Sequence, residues 1–186
     1  MEETAARVVP NILSLAGVDP SGGAGLLADI KTISALGGYA CGAVTALTVQ
    51  NTRGVSGVRI MSGDFVSAQL ESVLSDIRID AVKIGMLGNG EVIEAAAATL
   101  RNHPVKHIVL DTILVSTSGS PLLEPVATGV LIRKLLPLCT VFTPKHPRTR
   151  PVLKFVELAE SGVEWEEMLQ EAADQAVMTK IGYAKE

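Results

Sequence analysis

The 186-residue sequence predicts an α/β domain in which a mostly parallel sheet is covered by helices on both faces. Two observations support this prediction. Short apolar segments alternate with amphipathic helical patterns along the chain, and 47% of the residues are hydrophobic. The length is typical of one domain, so we expect a single domain over residues 1–186. Ligands of such sheets usually bind in the loops that follow the strands.

Apolar periodicity locates the elements along the chain. Short apolar or β-branched runs predict strands over residues 11–17, 41–49, 55–61, 81–84, 107–110, 139–142 and 177–181. Apolar side chains at three- and four-residue steps predict helices over residues 26–36, 63–77, 91–100, 126–136 and 165–176. Gly37 and Gly38 end the first helix, and Ser62 is the predicted N-cap of the second. Residues 147–160 fit neither pattern.

Composition and charge exclude several classes of partner. The formal net charge is -4 and aromatic residues make up 3% of the chain, which argues against a nucleic-acid or anionic-membrane surface. No apolar run approaches the ~18 residues that span a bilayer, and the acidic start at Glu2 and Glu3 is unlike a signal peptide. Cys41 and Cys139 lie far apart, and the histidines lack metal-ligand spacing. We therefore expect a cytoplasmic protein without a metal site.

A glycine-rich turn follows the first predicted strand, over residues 17–25. Gly17 and Gly22 have the spacing of half a phosphate-binding loop, but Gly23 and Ala24 stand where that loop requires Lys and Ser or Thr. The turn is therefore not a P-loop. Its glycines either let backbone N–H groups approach a ligand at the following helix N-terminus or permit a tight strand-to-helix connection.

Polar and soft side chains in or just after the predicted strands are the candidate ligand contacts. Asp19 either orients a substrate hydroxyl or amine, or makes an Asx turn or helix cap. Gln50 ends an apolar strand, where its amide either faces a heterocycle edge or closes the following turn. Met86 either covers a flat ligand or fills the core, and Lys83 is either an edge cation or an aliphatic stem that reaches solvent. Asp111 stands at the end of a further strand, a position favoured for functional groups.

Several segments, taken together and in order, resemble one protein family. They are Ala16-Gly-Val-Asp-Pro-Ser-Gly-Gly-Ala-Gly25, Ala28-Asp-Ile-Lys-Thr32, Thr45-Ala46, Gln50-Asn-Thr-Arg-Gly54, Gln69-Leu with 72–76, Lys83-Ile-Gly-Met-Leu87, Val109-Leu-Asp-Thr112 and Leu135-Leu-Pro137. From about residue 11 to residue 144, this ordered series resembles the hydroxymethylpyrimidine/phosphomethylpyrimidine kinases of thiamine biosynthesis. That family is ribokinase-like, so the resemblance implies a three-layer α/β/α fold.

The resemblance also implies an activity and a set of contacts. The activity is ATP-dependent phosphorylation of 4-amino-5-hydroxymethyl-2-methylpyrimidine and then of its monophosphate. Catalysis in such a site is mainly positioning and charge stabilisation with Mg2+. By the same resemblance an amide would hydrogen-bond the aminopyrimidine edge, small residues would line the site and apolar side chains would pack against the ring. The residues implied for these contacts are Gln50, Gly17, Asp19, Ala24, Met86 and Ile113.

The sequence departs from the family after residue 144. Where the family carries an Asn and a Glu that serve its Mg2+–phosphate site, this chain has Lys145 and Arg148, whose positive charges oppose Mg2+. The family's later Gly-Thr-Gly anion-hole motif does not occur in this sequence, so no catalytic residue is assigned. Lys180 aligns with the family's phosphate-contacting lysine. We therefore expect a fold that is incomplete at its C-terminus, with residues 145–186 divergent.

Three functions remain open on the sequence. The first is the pyrimidine kinase, and the second is a catalytically inactive, truncated homologue that binds the pyrimidine or a partner chain. The third keeps the kinase but exchanges the substrate for a pyridoxine-type ring, although Gln50 and Met86 favour the aminopyrimidine. Because an incomplete sheet leaves an apolar face and an edge strand exposed, we also expect a homodimer or other self-association.

Overall fold

The computed structural model describes residues 9–111, 123–124 and 126–143, with the backbone alone for the last two residues. In these ranges strands and helices alternate, as the sequence predicts. The strands are β1 (Asn11–Val18), β2 (Tyr39–Asn51), β3 (Gly54–Ile60), β4 (Ala81–Ile84), β5 (His107–Asp111) and β6 (Val141–Thr143). The α-helices are α1 (Gly25–Ala35), α2 (Gly63–Leu74), α3 (Gly90–Asn102) and α4 (Ala127–Val130).

In the described part of the chain the strands form one sheet, in the order β3-β2-β1-β4-β5-β6. Neighbouring strands are parallel, except that β2 and β3 form an antiparallel hairpin. The prediction of a mostly parallel sheet is therefore confirmed. After β1 the chain builds outward to β2 and β3, and then returns to place β4 on the other side of β1. The carboxyl ends of β1, β2 and β4 thus meet where the strand order reverses, which is the usual ligand position in such sheets.

Helices cover both faces of the sheet. On one face α1 packs on β1 and β2. On the opposite face α2, α3 and the helical segment over 127–138 pack around the apolar core. Leu13 and Leu15 of β1 point into this core, whereas Ser14 between them points at α1. The three-layer α/β/α arrangement predicted from the sequence is confirmed.

The predicted elements within the described ranges are present, with ends that differ by a few residues. Ser62 is the N-cap of α2, as predicted, and its hydroxyl accepts a hydrogen bond from the N–H of Phe65 (3.4 Å). The predicted helix over 165–176 and the predicted strand over 177–181 lie outside the described residues.

The last helix of the described chain changes its hydrogen bonding along its length. It begins as α4, continues as a π-helical turn over Leu131–Leu135 and ends in a 3-10 turn over Leu136–Leu138. Pro137 has no N–H to donate, so carbonyl groups of the preceding turn need other partners. Arg101 of α3 supplies one by donating to the carbonyl of Lys134 (2.7 Å). Periodicity predicts one helix here and carries no sign of this change.

Two side chains hydrogen-bond the backbone groups of strand residues that lie past the end of a neighbouring strand. The Gln69 amide of α2 accepts from the N–H of Val44 (2.9 Å) and donates to its carbonyl (3.0 Å). The hydroxyl of Thr140 also bonds the N–H (2.9 Å) and the carbonyl (3.1 Å) of Ile108, and that carbonyl accepts from the backbone N–H of Thr140 as well (2.8 Å). Because the hydroxyl takes the N–H of Ile108, β6 begins at Val141, whereas the sequence predicts a start at Cys139.

We expect Gln69→Ala to lower the free energy of unfolding by about 1–3 kcal/mol, because it leaves two backbone groups of Val44 without their partner. Urea unfolding followed by circular dichroism measures the change. Ser72→Ala, at an exposed position of the same helix, is the control and should shift the free energy by less than about 0.5 kcal/mol. Equal effects of the two variants would contradict the role of Gln69 as the hydrogen-bond partner of the Val44 backbone.

The two cysteines are free thiols, and Cys41 is buried. Burial raises the pKa of Cys139 to about 12, and burial also raises the pKa of Cys41. The thiolate is the form that reacts, so both thiols should react slowly with a disulfide reagent in the native protein near neutral pH. In urea both should react at the rate of an exposed thiol. A thiol that reacts equally fast in the native protein would contradict this burial.

Candidate functional site

The carboxyl ends of three strands bring side chains together at one edge of the sheet. Thr45 of β2 donates through Oγ1 to the carbonyl of Met86, which follows β4 (2.5 Å). A Cβ on Gly17 of β1 would stand 3.1 Å from Sδ of Met86 and 3.7 Å from the Cβ of Ala46. Gly17, Ala46 and Met86 therefore form a closely packed apolar surface at the end of β1. All three residues are buried, and Met86 is 8% exposed.

The carboxylate of Asp19 organises the glycine-rich turn after β1. Its Oδ1 accepts from the N–H and from the hydroxyl of Ser21, each at 2.8 Å. Its Oδ2 accepts from the N–H of Gly23 (3.2 Å) and from the N–H of Ala24 (3.0 Å). The turn is thus wrapped around its own carboxylate, and Asp19 is only 4% exposed.

These contacts distinguish between the alternatives for the turn. The N–H groups of Ser21, Gly23 and Ala24 bind Asp19, so they are not available to an anionic ligand. Ala24 is the N-cap residue of α1 and makes no side-chain cap, so Asp19 supplies the negative charge at this helix N-terminus. Burial acts to raise the pKa of Asp19, but the hydrogen bonds from Ser21, Ala24 and Gly23 outweigh it and hold the pKa below its ordinary value.

Gly25 closes the turn against β1. Its φ of 58° lies in the left-handed region, which favours glycine. A Cβ at this position would stand 2.2 Å from the carbonyl oxygen of Gly17, and the backbone of Gly25 forms a bridge with Val18. The sequence does not distinguish Gly25 from the other glycines of the turn. Glycine is needed here because of the contact with the carbonyl of Gly17, which exists only in the folded chain.

Gln50 lies half-buried at the carboxyl end of β2, beside a bulge in the β2–β3 ladder. Oγ1 of Thr48 is 2.9 Å from the carbonyl oxygen of Val18 and 3.1 Å from Oε1 of Gln50. Within the described residues Thr48 is the hydrogen-bond partner of the Gln50 side chain, so most of the amide's donors and acceptors remain for a ligand. The following turn is closed by Asn51, whose Oδ1 accepts from the N–H of Arg53 (2.9 Å). The alternative in which Gln50 closes that turn is therefore not supported.

Lys83 is neither an edge cation nor a stem that reaches solvent. Its Nζ lies 2.8 Å from Oδ2 of Asp29 in α1, and the two side chains are 24% and 20% exposed. The sequence pattern missed this pairing, because Asp29 lies on a different element, far along the chain.

The other titratable candidates do not gather into a metal site. In the parts of the chain that the structure describes, no group of three or more His, Cys, Asp or Glu side chains is arranged to hold a metal ion. His103 pairs through Nε2 with Oε2 of Glu71 (2.6 Å), and His107 begins β5. Asp111 is buried at the end of β5, 8% exposed. Nor do the described residues include a helix that is long and apolar enough to cross a membrane.

The predicted site residues Ile113 and Lys180 lie outside the described residues, as do Lys145 and Arg148. Among the described residues, sequence analysis missed the roles of Thr45 and Thr48. Threonine is common in strands, so its residue type gave no signal of a polar function there.

Comparison with known proteins identifies the family. The family model for phosphomethylpyrimidine kinase matches residues 19–186. The hydroxymethylpyrimidine/phosphomethylpyrimidine kinase of Escherichia coli (strain K12) is 50% identical over 143 residues, which are 77% of this chain and 54% of that protein. The chloroplastic thiamine biosynthetic bifunctional enzyme TH1 of Arabidopsis thaliana is 43% identical over 138 residues, 74% of this chain and 26% of that protein. This chain thus spans about half the length of the curated bacterial kinases that it matches.

Solved structures agree with the fold. The phosphomethylpyrimidine kinase of Clostridium difficile 630 matches with a TM-score of 0.72 and 34% identity, over 91% of this chain and 71% of that chain. The pyridoxal kinase of Staphylococcus aureus in complex with pyridoxal matches with a TM-score of 0.64 and 36% identity, over 74% of this chain and 49% of that chain. Both neighbours are ribokinase-like kinases, which confirms the fold expected from the resemblance. By its family-model match and its identity to these relatives, the chain belongs to the phosphomethylpyrimidine kinase family.

Proposed function

We propose that this chain binds 4-amino-5-hydroxymethyl-2-methylpyrimidine in the crevice where the loops after β1, β2 and β4 meet. In the reaction that we propose, ATP transfers its γ-phosphoryl group to the hydroxymethyl oxygen, and a second transfer extends the monophosphate. The family membership supports this reaction, since the bacterial relatives are named for it. The use of a nucleotide is supported by solved pyridoxal kinases with bound ADP and AMP-PCP.

The observation that carries the proposal is the half-buried Gln50 amide at the end of β2, whose Oε1 lies 3.1 Å from the hydroxyl of Thr48. An aminopyrimidine edge presents a ring nitrogen that accepts and an amino group that donates, and an amide side chain complements both. Gly17, Ala46 and Met86 pack together at the end of the neighbouring strand. In this proposal the flat ring lies over the side of Met86 that remains exposed.

Gly17, Asp19 and Ala24 have different parts in this proposal. Gly17 leaves room for Met86, because a Cβ there would stand 3.1 Å from Sδ. Asp19 fixes the turn through its carboxylate, so its effect on the substrate is indirect, through Ser21 and Ala24. The described residues supply no carboxylate cluster that fits Mg2+. Lys145 and Arg148 stand at the two sequence positions where the family carries the Asn and Glu of its Mg2+–phosphate site. No step is therefore assigned to a metal.

Phosphorylation of the pyrimidine, followed by mass spectrometry, tests the proposal on the full 186-residue chain. We expect Gln50→Ala to raise KM by about 10- to 100-fold, because two hydrogen bonds to the ring edge are lost. Ser56→Ala is the matched control, since it removes an exposed hydroxyl of the same hairpin, and its KM should stay at the wild-type value. Equal KM values for Gln50→Ala and wild type would contradict the site.

The same assay separates the alternatives. A pyridoxine-type substrate is the second candidate, favoured by the likeness to pyridoxal kinase bound to pyridoxal. Faster turnover of pyridoxal than of the pyrimidine would select it. Binding of the pyrimidine in a calorimeter without any turnover would select the catalytically inactive homologue.

We also propose that two copies of the chain associate through the β2–β3 hairpin. Leu47 and Val49 share one face of this hairpin and are large apolar side chains that are 48% and 66% exposed. A surface of this kind favours association. Light scattering at micromolar concentration tests this association, and a monodisperse monomer would contradict it.

A cytoplasmic location is proposed as well, and the two free thiols support it.

A further inference from the structure

A polar cluster joins α1 to the sheet below the candidate site. Oδ2 of Asp29 in α1 accepts from the hydroxyl of Ser14 in β1 (2.7 Å) and from Nζ of Lys83 in β4 (2.8 Å). Ser14 and Lys83 are paired in the parallel ladder of β1 and β4, so both point at the same carboxylate. Ser14 is fully buried, and the ion pair is mostly buried.

We propose that Asp29 and Lys83 are positioning residues, which fix the place of α1 on the sheet and thereby the turn over residues 19–24 that borders the pyrimidine site. The inference rests on the proposed function for its effect on substrate. The effect on the turn does not depend on the proposed function, because the hydrogen exchange of the turn amides can be measured without substrate.

Among the described residues, the apolar contact that holds α1 on the sheet is modest. Leu26 is the one fully buried side chain of this 11-residue helix, and it packs over Gly42, where a Cβ would stand 2.9 Å from its Cδ1. Ile30 and Ile33 are only half-buried, so the apolar contact resists sliding and rotation poorly. The ion pair adds a second point of attachment, and a pair of this kind specifies geometry more than it adds stability.

Hydrogen bonds also join α1 directly to the turn. Nζ of Lys31 in α1 donates to the carbonyl of Gly22, and the N–H of Gly22 donates to the carbonyl of Asp19 (2.9 Å). Gly25, the first residue of α1, bridges to Val18 at the end of β1. Any movement of α1 is therefore passed to the turn.

A small movement of α1 would be enough to disturb the site. A slip of α1 by one residue moves its backbone by about 1.5 Å along the axis. A displacement of about 1 Å in a positioning element can reduce a reaction rate by about 100-fold. The turn also contains the carboxylate of Asp19 and its four hydrogen bonds, which would have to move together.

The test compares Asp29→Asn, Lys83→Met and the double variant Asp29→Leu/Lys83→Met in the full chain. The double variant also carries Ser14→Ala, which removes the buried hydroxyl that Asp29→Leu would leave without an acceptor. Three quantities are measured: the midpoint of thermal unfolding, the Kd for 4-amino-5-hydroxymethyl-2-methylpyrimidine, and the hydrogen-exchange protection of the amides of Ser21, Gly23 and Ala24. Arg78→Met is the control, because it breaks an exposed ion pair with Asp80 (3.2 Å).

We expect each single variant to lower the midpoint and to weaken binding by about tenfold, since each leaves a partly buried charge or acceptor without its partner. The double variant should recover the midpoint, because apolar side chains of similar volume replace a buried pair at little cost. Its Kd should nevertheless stay weak, and the protection of the turn amides should stay about tenfold below wild type. The control should leave all three quantities unchanged.

Recovery of Kd and of turn protection in the double variant would overturn the inference, because the cluster would then act on stability alone. Failure of the wild-type chain to bind the pyrimidine would instead count against the proposed function. In that case the protection of the three amides still decides whether Asp29 and Lys83 hold the turn.

Discussion

Replacing Gly25 with alanine should abolish detectable pyrimidine binding and lower the stability of the chain. The φ of 58° at this position costs an L-residue about 1–2 kcal/mol. In addition, the new Cβ would stand 2.2 Å from the carbonyl oxygen of Gly17. Because that atom is backbone at the end of β1, relief requires the whole turn to move away from the site. Thermal unfolding and calorimetric titration with the pyrimidine measure the two effects.

Gly23→Ala is the matched control from the same turn. A Cβ there would meet its nearest neighbours at 3.6 Å and 3.7 Å, which is ordinary van der Waals contact. We expect this control to change the free energy of unfolding by less than about 1 kcal/mol and to leave binding intact. If Gly25→Ala binds the pyrimidine as tightly as Gly23→Ala, the turn does not border the site.

The second large effect is expected for Asp19→Asn. The asparagine amide keeps one oxygen, so it cannot accept all the hydrogen bonds that Ser21, Gly23 and Ala24 donate to the carboxylate. Each hydrogen bond to a charged group contributes about 1.5–3 kcal/mol, and the turn loses at least one of them. We expect pyrimidine binding to weaken at least about tenfold, measured by calorimetry. Asp76→Asn, at an exposed position, controls for the lost charge and should bind like wild type.

The pKa of Asp19 gives this prediction a pH dependence of known sign. Its hydrogen bonds hold the native pKa below the ordinary value of 3.8, so the unfolded carboxyl protonates first as the pH falls. The stabilisation is therefore complete above about pH 4 and is lost as the pH falls through the lower native pKa. The difference in unfolding free energy between wild type and Asp19→Asn should shrink below about pH 4. A difference that is constant across this range would contradict the role of the carboxylate.

The sequence predicted the layout of the fold because its cues are local. The alternation of apolar strands with helical stripes is a property of neighbouring residues, and so is the N-cap at Ser62, which the structure confirms. The start of β6 was placed too early, because the hydroxyl of Thr140 takes the N–H of Ile108 that a longer strand would bond through its backbone. The π-helical turn over Leu131–Leu135 was missed for a similar reason, since it depends on contacts that cross between helices.

The candidate site was predicted less completely, because its chemistry depends on partners far apart in sequence. Residue type alone left Asp19 open between a ligand contact and a turn, and the four donors around its carboxylate favour the turn. The half-buried side chain of Gln50 contacts Thr48, and Asn51 closes the following turn. These contacts favour a ligand contact for Gln50 over a hydrogen bond within the turn. The pairing of Lys83 with Asp29 joins two elements that no periodicity connects. The family resemblance predicted which segments matter, but not how they contact one another.

In the function that we propose, the loops after β1, β2 and β4 form one pyrimidine site. Chemical-shift mapping locates this site, by titrating the full isotope-labelled chain with 4-amino-5-hydroxymethyl-2-methylpyrimidine and following the backbone amides. We expect saturable shifts clustered at Gly17, Ser21, Gln50 and Met86, with little change at the far ends of the same strands. Shifts that cluster elsewhere, or the absence of saturable shifts at millimolar pyrimidine, would contradict the claim.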